Sequence, residues 1–363
     1  MVRRNGDLRE LTDKFVCVRI VKANDLDLTL FQFDFDLTFA VCFMNADRTI
    51  YARYGRRSSR ENATKDVSLA GLASTMSEVL ELHQQYPGNR SLLLGKQAVA
   101  NAFRTPDDFP ALRGKFKKNL DYDGAVTKSC LHCHQIGDAE RQIYRNLRQP
   151  IPDRILFPYP SPAVLGLSMD VDKSRSIAKV ASDSIADQGG LQSGDQFVTL
   201  NGQRIISPAD IQWVLHHAAA TDRLSVEVQR GNRRKRLQLL LPNGWRRESD
   251  ISWRVSSWPL RRMGTGGLLL KAATIEQRRR ARIPQGRLAL VVKHVGQYGP
   301  HAAAKRAGFR PGDMVVSFNG RTDQLTPSQL LAYTVQETKP AQRLPVIVVR
   351  GEQRVKLMLP MQK

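Results

Sequence analysis

An internal repeat constrains the fold of this chain more than any other feature of its sequence. Both copies run through an apolar strand, a small-residue helix ending in Gly, a Gly-Asp pair, a second strand, an Asn-Gly pair, and a helix opening at Ser-Pro or Thr-Pro. The first copy contains IAKVASDSIADQGGLQSGDQFVTLNGQRIISPADIQWVLHHA, and the second contains LVVKHVGQYGPHAAAKRAGFRPGDMVVSFNGRTDQLTPSQLLAYT. Asn-Gly suits a tight hairpin turn because both residues tolerate positive φ. Proline after a Ser or Thr cap suits the first helical position, where its missing N–H costs nothing. The repeat therefore predicts two small domains of one fold.

This pattern resembles the PDZ domain of the bacterial type over about 155–243 and 262–362. The matching positions of the first copy are Ala186, Gly190, Leu191, Gly194, Asp195, Leu200, Asn201 and Gly202. Those of the second copy are Ala303, Ala307, Gly308, Phe309, Pro311, Gly312, Asp313, Asn319 and Gly320. The resemblance implies that a protein C-terminus or an extended peptide adds as a strand to an exposed sheet edge, with its carboxylate on a loop of backbone N–H donors.

For the first copy, the resemblance assigns a peptide site that is built from a loop, an edge strand and a facing helix. The loop and strand residues are Val164, Leu165, Gly166, Leu167, Ser168 and Met169. The helix residues are Ile211, Trp213, Val214 and Leu215. In the second copy a charged insert, Glu276 to Arg282, follows the corresponding strand, and this departure from the family pattern argues against peptide binding there. The chain has no Gly-Asn-Ser-Gly-Gly nucleophile turn, so we expect that it is not a protease.

The stretch before the repeat predicts a small α/β unit over 1–87. FVCVRIV, residues 15–21, predicts a buried strand, and LTFAVCFMNADRTIYARYG predicts a strand, a turn and a strand. Helical spacing of apolar residues from Leu69, after a Ser68 cap and before Pro87, predicts a helix. Cys17 and Cys42 lie in the strand runs, and we expect both to be small buried hydrophobes without a function.

This α/β unit resembles the C-terminal two-thirds of a thioredoxin-like domain. With the repeat, the whole chain resembles a bacterial family of thioredoxin-like/PDZ proteins, some of which are selenoproteins. In that family a Cys-x-x-Cys or selenocysteine pair and a secretory signal lie upstream of the region where this chain starts. The resemblance therefore implies a misassigned start, and thiol–disulfide oxidoreductase activity only if that upstream motif belongs to the protein.

Residues 129–137, SCLHCHQIG, contain the spacing C-x-x-C-H. Such spacing lets Cys130 and Cys133 add to the vinyl groups of one haem while His134 binds the iron, so the motif favours haem c, with the sixth iron ligand left open. Zinc is an alternative, but a second ligand pair such as C-x-x-C or H-x-x-H is missing from the sequence. A disulfide or an incidental pairing of the two cysteines also stays open.

Composition and charge bear on location and partners. Lys and Arg number 56 against 34 for Asp and Glu, a formal net charge of +22, which attracts acidic partners and allows association with a membrane surface. The Arg clusters lack interleaved aromatic residues, so we expect no specific nucleic-acid binding. The sequence has no run of about 18 apolar residues and so predicts no membrane-spanning helix.

Together these features predict an α/β plus mainly-β multidomain protein. The expected segments are a truncated thioredoxin-like domain at 1–87, a linker with the C-x-x-C-H motif at 88–154, PDZ domains at 155–243 and 262–363, and a linker at 244–261. The expected function is that of a periplasmic or otherwise extracytoplasmic redox-associated protein, which transfers electrons through haem c to an unknown redox partner and docks polypeptides on its PDZ domains. The alternative is a non-enzymatic PDZ scaffold whose Cys130 and Cys133 form a structural disulfide or hold zinc.

Overall fold

The chain divides into two units, each with its own hydrophobic core. The computed structural model describes residues 6–59, 62, 65–96, 102–116, 119, 121–124 and 129–362. The first unit contains the residues up to Cys133 together with Phe157–Ser249, and the second contains His134–Leu156 and the residues from Asp250 onward. The domain boundaries expected from the sequence stay predictions.

Among its described residues, the N-terminal part of the first unit has two α-helices and one hairpin. Its elements are α1 (Gly6–Thr12), β1 (Val41–Met44), β2 (Ile50–Tyr54) and α2 (Leu69–Gln84). The hairpin and α2 agree with the sequence-based prediction, and the Ser68 hydroxyl caps α2 by accepting from the Gly71 N–H at 2.9 Å. Phe43 and Tyr51 of the hairpin pack against Met76 and Val79 of α2.

The prediction of a thioredoxin-like domain is wrong. Within the described part of 1–87, the strands are those of one two-stranded sheet, β1 with β2, which is not the larger sheet that such a domain requires. FVCVRIV forms no strand: Val16 is 94% and Val18 is 81% exposed, because no neighbouring strand pairs with the segment. Cys17 is consequently exposed rather than buried, whereas Cys42 is partly buried and desolvation raises the pKa of its thiol.

The first copy of the repeat forms the remainder of the first unit. Its elements are β3 (Leu167–Met169), β4 (Ile177–Val180), α5 (Ile185–Gln188), β5 (Gln196–Leu200), β6 (Gln203–Arg204), α6 (Pro208–His217), β7 (Asp222–Arg230) and β8 (Arg233–Leu241). Strands β5 to β8 form an antiparallel sheet in the order β6-β5-β7-β8, and β3 pairs with β4. A bridge between Ser176 and Gln196 links that pair to β5. The core lies between the strands and α6 and includes Leu165, Ile211 and Leu215.

The second unit contains the second copy of the repeat and the helices that precede it. Its elements are α3 (His134–Asn146), α4 (Asp153–Leu156), α7 (Ser257–Thr265), β9 (Leu268–Ala272), α8 (Ile275–Arg280), β10 (Leu290–Val295), α9 (Ala303–Arg306), β11 (Met314–Phe318), α10 (Pro327–Glu337), β12 (Arg343–Arg350) and β13 (Gln353–Pro360). The strands form one sheet in the order β13-β12-β11-β10-β9. The buried Arg145 guanidinium donates to the carbonyls of Thr338 and Gln362 and thereby fastens α3 to the repeat. None of the described helices is long and apolar enough to cross a membrane.

Candidate peptide-binding site

Strand β3 presents a free edge. It pairs with β4 on one side, with Leu167 opposite Val180 and Ser168 opposite Lys179. The Gly166 carbonyl accepts from the Ala181 N–H, and the Asp170 N–H donates to the Ser176 carbonyl. Because bonded and non-bonded positions alternate in an antiparallel pair, the backbone groups of Leu167 and Met169 point away from β4. Among the described residues, β3 forms its sheet with β4 alone. The edge that carries these backbone groups can therefore accept another strand.

The loop before β3 is shaped by a glycine that no other residue can replace without strain. A 3-10 turn, Pro162–Leu165, ends at Gly166 with φ 85°, and the Gly166 N–H donates to the Ala163 carbonyl at 2.9 Å. A Cβ atom at this position would lie 2.2 Å from the Ser184 Cβ. Left-handed backbone and close packing together require glycine here. The loop delivers the Leu167 N–H to the free edge.

Helix α6 faces β3 across the core. Its N-terminus carries a capping box, in which the Ser207 hydroxyl accepts from the Ala209 N–H and the Asp210 carboxylate accepts from the Ser207 N–H. The apolar residues assigned to the peptide site, namely Leu165, Leu167, Met169, Ile211, Trp213, Val214 and Leu215, are all buried in the hydrophobic core. Val164 is half-buried and Ser168 is exposed. The structure thus brings the assigned residues together, most of them as the support beneath the site.

A second row of α6, which the sequence reasoning missed, consists of Ala209, Gln212 and His216. Ala209 lines one cavity with Asp170, the residue that follows β3. Gln212 and His216 lie one and two turns further along the same face. The Gln212 side chain donates to the Tyr159 carbonyl at 2.9 Å, and the His216 ring stacks on the Tyr159 ring at 4.2 Å. Positions 209, 212 and 216 follow helical spacing on a different face from Ile211 and Leu215, and this spacing could have identified the row from the sequence.

An ion pair between a buried aspartate and a partly exposed arginine fixes the turn of the Gly-Asp motif. Arg230, at the end of β7, binds both carboxylate oxygens of Asp195 at 2.7 and 2.8 Å and also donates to the Gly190 carbonyl at 2.8 Å. The Asp195 carboxylate also accepts a hydrogen bond from the Gln192 N–H at 2.9 Å. These bonds raise the pKa of Arg230. The sequence analysis identified Asp195 but missed Arg230. The Arg-Gly pair at the turn after β7 is the sequence signal that could have identified it.

The second copy repeats this device with the same distances. Arg350 binds Asp313 at 2.7 and 2.8 Å and donates to the Gly308 carbonyl at 2.8 Å. The copies differ around the candidate groove. Helix α7 packs on α10 so closely that a Cβ atom on Gly264 would lie 2.2 Å from the Thr334 hydroxyl. The insert predicted between β9 and β10 contains α8.

The C-x-x-C-H residues lie at the start of α3 and just before it. Cys130 and Cys133 carry free thiols, and burial raises the pKa of Cys133, which disfavours the reactive thiolate. His134 begins α3, and its Nδ1 lies 3.6 Å from the Asp138 carboxylate. In the part of the chain that the structure describes, no group of three or more His, Cys, Asp or Glu could hold a metal ion. Attachment of haem c to these residues stays a prediction.

Comparisons with known proteins relate the chain to periplasmic proteases. A probable periplasmic serine endoprotease, DegP-like, from Pseudomonas fluorescens is 30% identical over 145 residues, which cover 40% of this chain and 29% of the relative. The protein of that name from Pseudomonas savastanoi pv. phaseolicola is 28% identical over 186 residues, covering 50% and 35%. The chain therefore spans about a third of the length of these relatives.

These names correct two predictions from the sequence. The expectation that set the chain apart from proteases is overturned, because its curated relatives are named serine endoproteases. The expected redox and electron-transfer function is also wrong, because the relatives bear the names of proteases and not of haem, thioredoxin-like or other redox proteins.

The chain is also similar in part to solved structures, and a family model matches one segment of it. The HtrA3 PDZ domain bound to a phage-derived ligand, FGRWV, is 27% identical, covers 19% of this chain and 61% of its own, and has a TM-score of 0.17. The HtrA-type protease AlgW with a decapeptide is 19% identical, covers 38% and 41%, and has a TM-score of 0.24. Residues 163–241 match the PDZ domain family. This chain therefore contains a PDZ domain, formed by the first copy of its repeat.

Proposed function

We propose that the PDZ domain at 163–241 binds the C-terminus or an exposed extended segment of another polypeptide. The observation that carries this proposal is the free edge of β3, placed between a glycine-capped loop and α6. An added peptide strand gains main-chain hydrogen bonds from such an edge, and the neighbouring helix provides the contacts for its side chains.

Each part of the site has a separate role in this proposal. The backbone groups of Leu167 and Met169 pair with the peptide, and the loop at Gly166 receives its terminal carboxylate, beside Val164. The row Ala209, Gln212 and His216 meets the peptide side chains. Ile211, Val214 and Leu215 pack in the core, and this packing fixes the position of α6 relative to β3.

We further propose that the second copy, over 262–363, is a second PDZ domain. Its Asp313–Arg350 pair duplicates the Asp195–Arg230 pair bond for bond. The matches to DegP-like relatives extend over 145 to 186 residues, which exceeds the segment 163–241 alone. The contact of α7 with α10 and the inserted α8 distinguish its groove from that of the first copy.

The periplasmic names of the relatives support an extracytoplasmic location. Polypeptide recognition there is the primary function in this proposal, and proteolysis is the second candidate, favoured by the same names. Incubation of the purified chain with casein separates the two. If the chain cleaves casein, and a serine-directed fluorophosphonate blocks that cleavage, proteolysis is established.

The test of recognition uses fluorescein-labelled FGRWV, the ligand of the HtrA3 domain, in an anisotropy titration with the full chain. We expect saturable binding that is lost when the peptide ends in an amide instead of a carboxylate. Gly166→Ala should weaken binding, because its Cβ atom meets Ser184. Gly194→Ala is the matched control, since Gly194 has φ 86° but open space around it. Binding that does not depend on the carboxylate would contradict the proposed mode.

A further inference from the structure

The groove side of α6 is covered by the N-terminal part of the same unit. Tyr54 and Gly55 meet Ala209 and Asp170 around a cavity of only about 10 Å³. Phe33 and Leu37 line a second cavity of about 10 Å³ with Ala209, Gln212 and Tyr159. Each cavity has space for about one water molecule. Tyr54 and Gly55 thus adjoin both the residue that follows β3 and the first turn of α6, on the path of a bound peptide that extends past Met169.

Polar contacts at the beginning of α6 hold this cover in place. The Ser207 hydroxyl donates to the Arg53 carbonyl, and the Arg53 N–H donates to the Asp210 carboxylate at 3.3 Å. The Arg53 guanidinium lies 5.0 Å from the centre of the Trp213 ring. Its Nε donates to the Gln32 carbonyl at 2.9 Å. Arg53, a residue of β2, therefore contacts both α6 and Gln32, which lies ahead of the hairpin.

A buried ion pair adds a further contact between the two parts. Lys96 Nζ lies 2.7 Å from the Asp210 carboxylate, and both side chains are fully buried. When the cover leaves α6 and both ions meet water, their hydration offsets part of the attraction that is lost.

We propose that residues 33–56 form an intramolecular cover over the PDZ groove, which a polypeptide ligand must displace from α6 in order to bind. This inference rests on the proposed peptide-binding function of the same groove. The apparent affinity for peptide is then reduced by the fraction of molecules in which the groove is open. The occupant of the closed groove is a defined segment of this chain, held by Arg53 and Lys96.

The first experiment compares the affinity of labelled FGRWV for the full-length wild type, Arg53→Ala and Arg223→Ala. Arg53→Ala removes the contacts to Trp213 and Gln32, and we expect about tenfold tighter binding if about one molecule in ten is open in the wild type. Arg223 is an exposed residue of β7 outside the groove and cover, so Arg223→Ala controls for the loss of one positive charge. Its affinity should equal that of the wild type.

The second experiment measures hydrogen exchange of the wild type at saturating FGRWV and does not depend on any variant. We expect faster exchange over 33–41 and 53–56 and slower exchange over 167–169. Equal affinities of wild type and Arg53→Ala, or unchanged exchange over the cover, would overturn the inference. The proposed function would still stand if binding depended on the peptide carboxylate. If neither the wild type nor Arg53→Ala showed carboxylate-dependent binding, the proposed function and the cover would both be overturned.

Discussion

Asp195 and Asp313 occupy the same position in the two copies of the repeat, and both are buried. A buried carboxylate is costly unless a positive charge and hydrogen-bond donors surround it. Arg230 and Arg350 provide the charge, and they also bind the Gly190 and Gly308 carbonyls, which lie near each Gly-Asp turn. The Gly-Asp motif is therefore a fixed turn, in which one arginine holds two otherwise separate segments.

Arg230→Ala and Arg350→Ala should each destabilise their unit by about 3 kcal/mol, because each leaves a buried aspartate without its partner. The measurement is the free energy of unfolding in urea. Arg321→Ala is the control, since Arg321 pairs with Asp323 where both side chains are exposed, and its loss should cost less than about 1 kcal/mol. Equal losses of stability for all three variants would contradict the idea that burial of Asp195 and Asp313 makes their arginine partners important.

The exposed segment Val16–Val21 consists mostly of residues that favour a strand, but it forms none. Val16, Val18, Ile20 and Val21 are each more than half exposed. An unpaired stretch of β-branched residues is a site where chains associate. We therefore expect the segment to favour association between chains.

Val18→Lys should reduce aggregation of the purified protein and leave its thermal midpoint unchanged. The added charge interrupts intermolecular strand pairing, and the exposed Val18 has no core contacts to lose. Light scattering during storage at high concentration reports the first effect, and differential scanning calorimetry reports the second. A lowered midpoint would show that Val18 is packed in solution.

The caps of α6 and α10 show how equivalent elements acquire different roles. Thr326 caps α10 by accepting from the Gln329 N–H at 3.1 Å. Ser207 caps α6 in the same way but also donates to the Arg53 carbonyl. The helix of the first copy is therefore stabilised by a neighbour from outside the repeat.

Thr326→Ala should cost about 1 kcal/mol, the usual value of a lost cap, and Ser207→Ala should cost up to about 2 kcal/mol. The larger loss follows from the second hydrogen bond, which leaves the Arg53 carbonyl buried without that donor. Urea unfolding measures both losses. An equal cost would mean that the contact with Arg53 contributes nothing to stability.

Within the first unit, a buried ion pair between Lys96 and Asp210 joins the N-terminal part to the PDZ domain. Burial lowers the pKa of Lys96 from its ordinary 10.5 to about 8, although the Asp210 carboxylate opposes that shift. In the unfolded chain Lys96 keeps its proton to higher pH. Between about pH 8 and 10.5 the unfolded state consequently binds more protons than the folded state.

The free energy of unfolding of the first unit should therefore rise with pH from about 8 toward 10.5, by the contribution of Lys96. Lys96→Met removes this contribution. The free energy of unfolding of the wild type should therefore rise relative to that of the variant over the same pH range. Urea titrations at several pH values measure it. A difference that is constant with pH would show that Lys96 titrates normally in the folded protein.

How much the sequence predicted depends on whether a feature is local. Ser68 caps α2, Asn201 and Asn319 adopt φ 48° and 50° at their turns, and proline opens α6 and α10, all as the sequence implied. Such features depend on residues within a few positions of each other. The same reasoning failed for FVCVRIV, because a strand needs a partner that no local pattern can provide.

The sequence by itself determined the repeat, its turns and caps, and the PDZ domain, because these follow from backbone preferences of neighbouring residues. Tertiary structure alone decided what lies on the groove side of α6, where Arg53, Lys96 and Leu37 come from far along the chain. It also decided the state of Cys133, whose burial raises its thiol pKa. Burial and long-range contact are properties of the assembled fold, so spacing in the sequence could not reveal them.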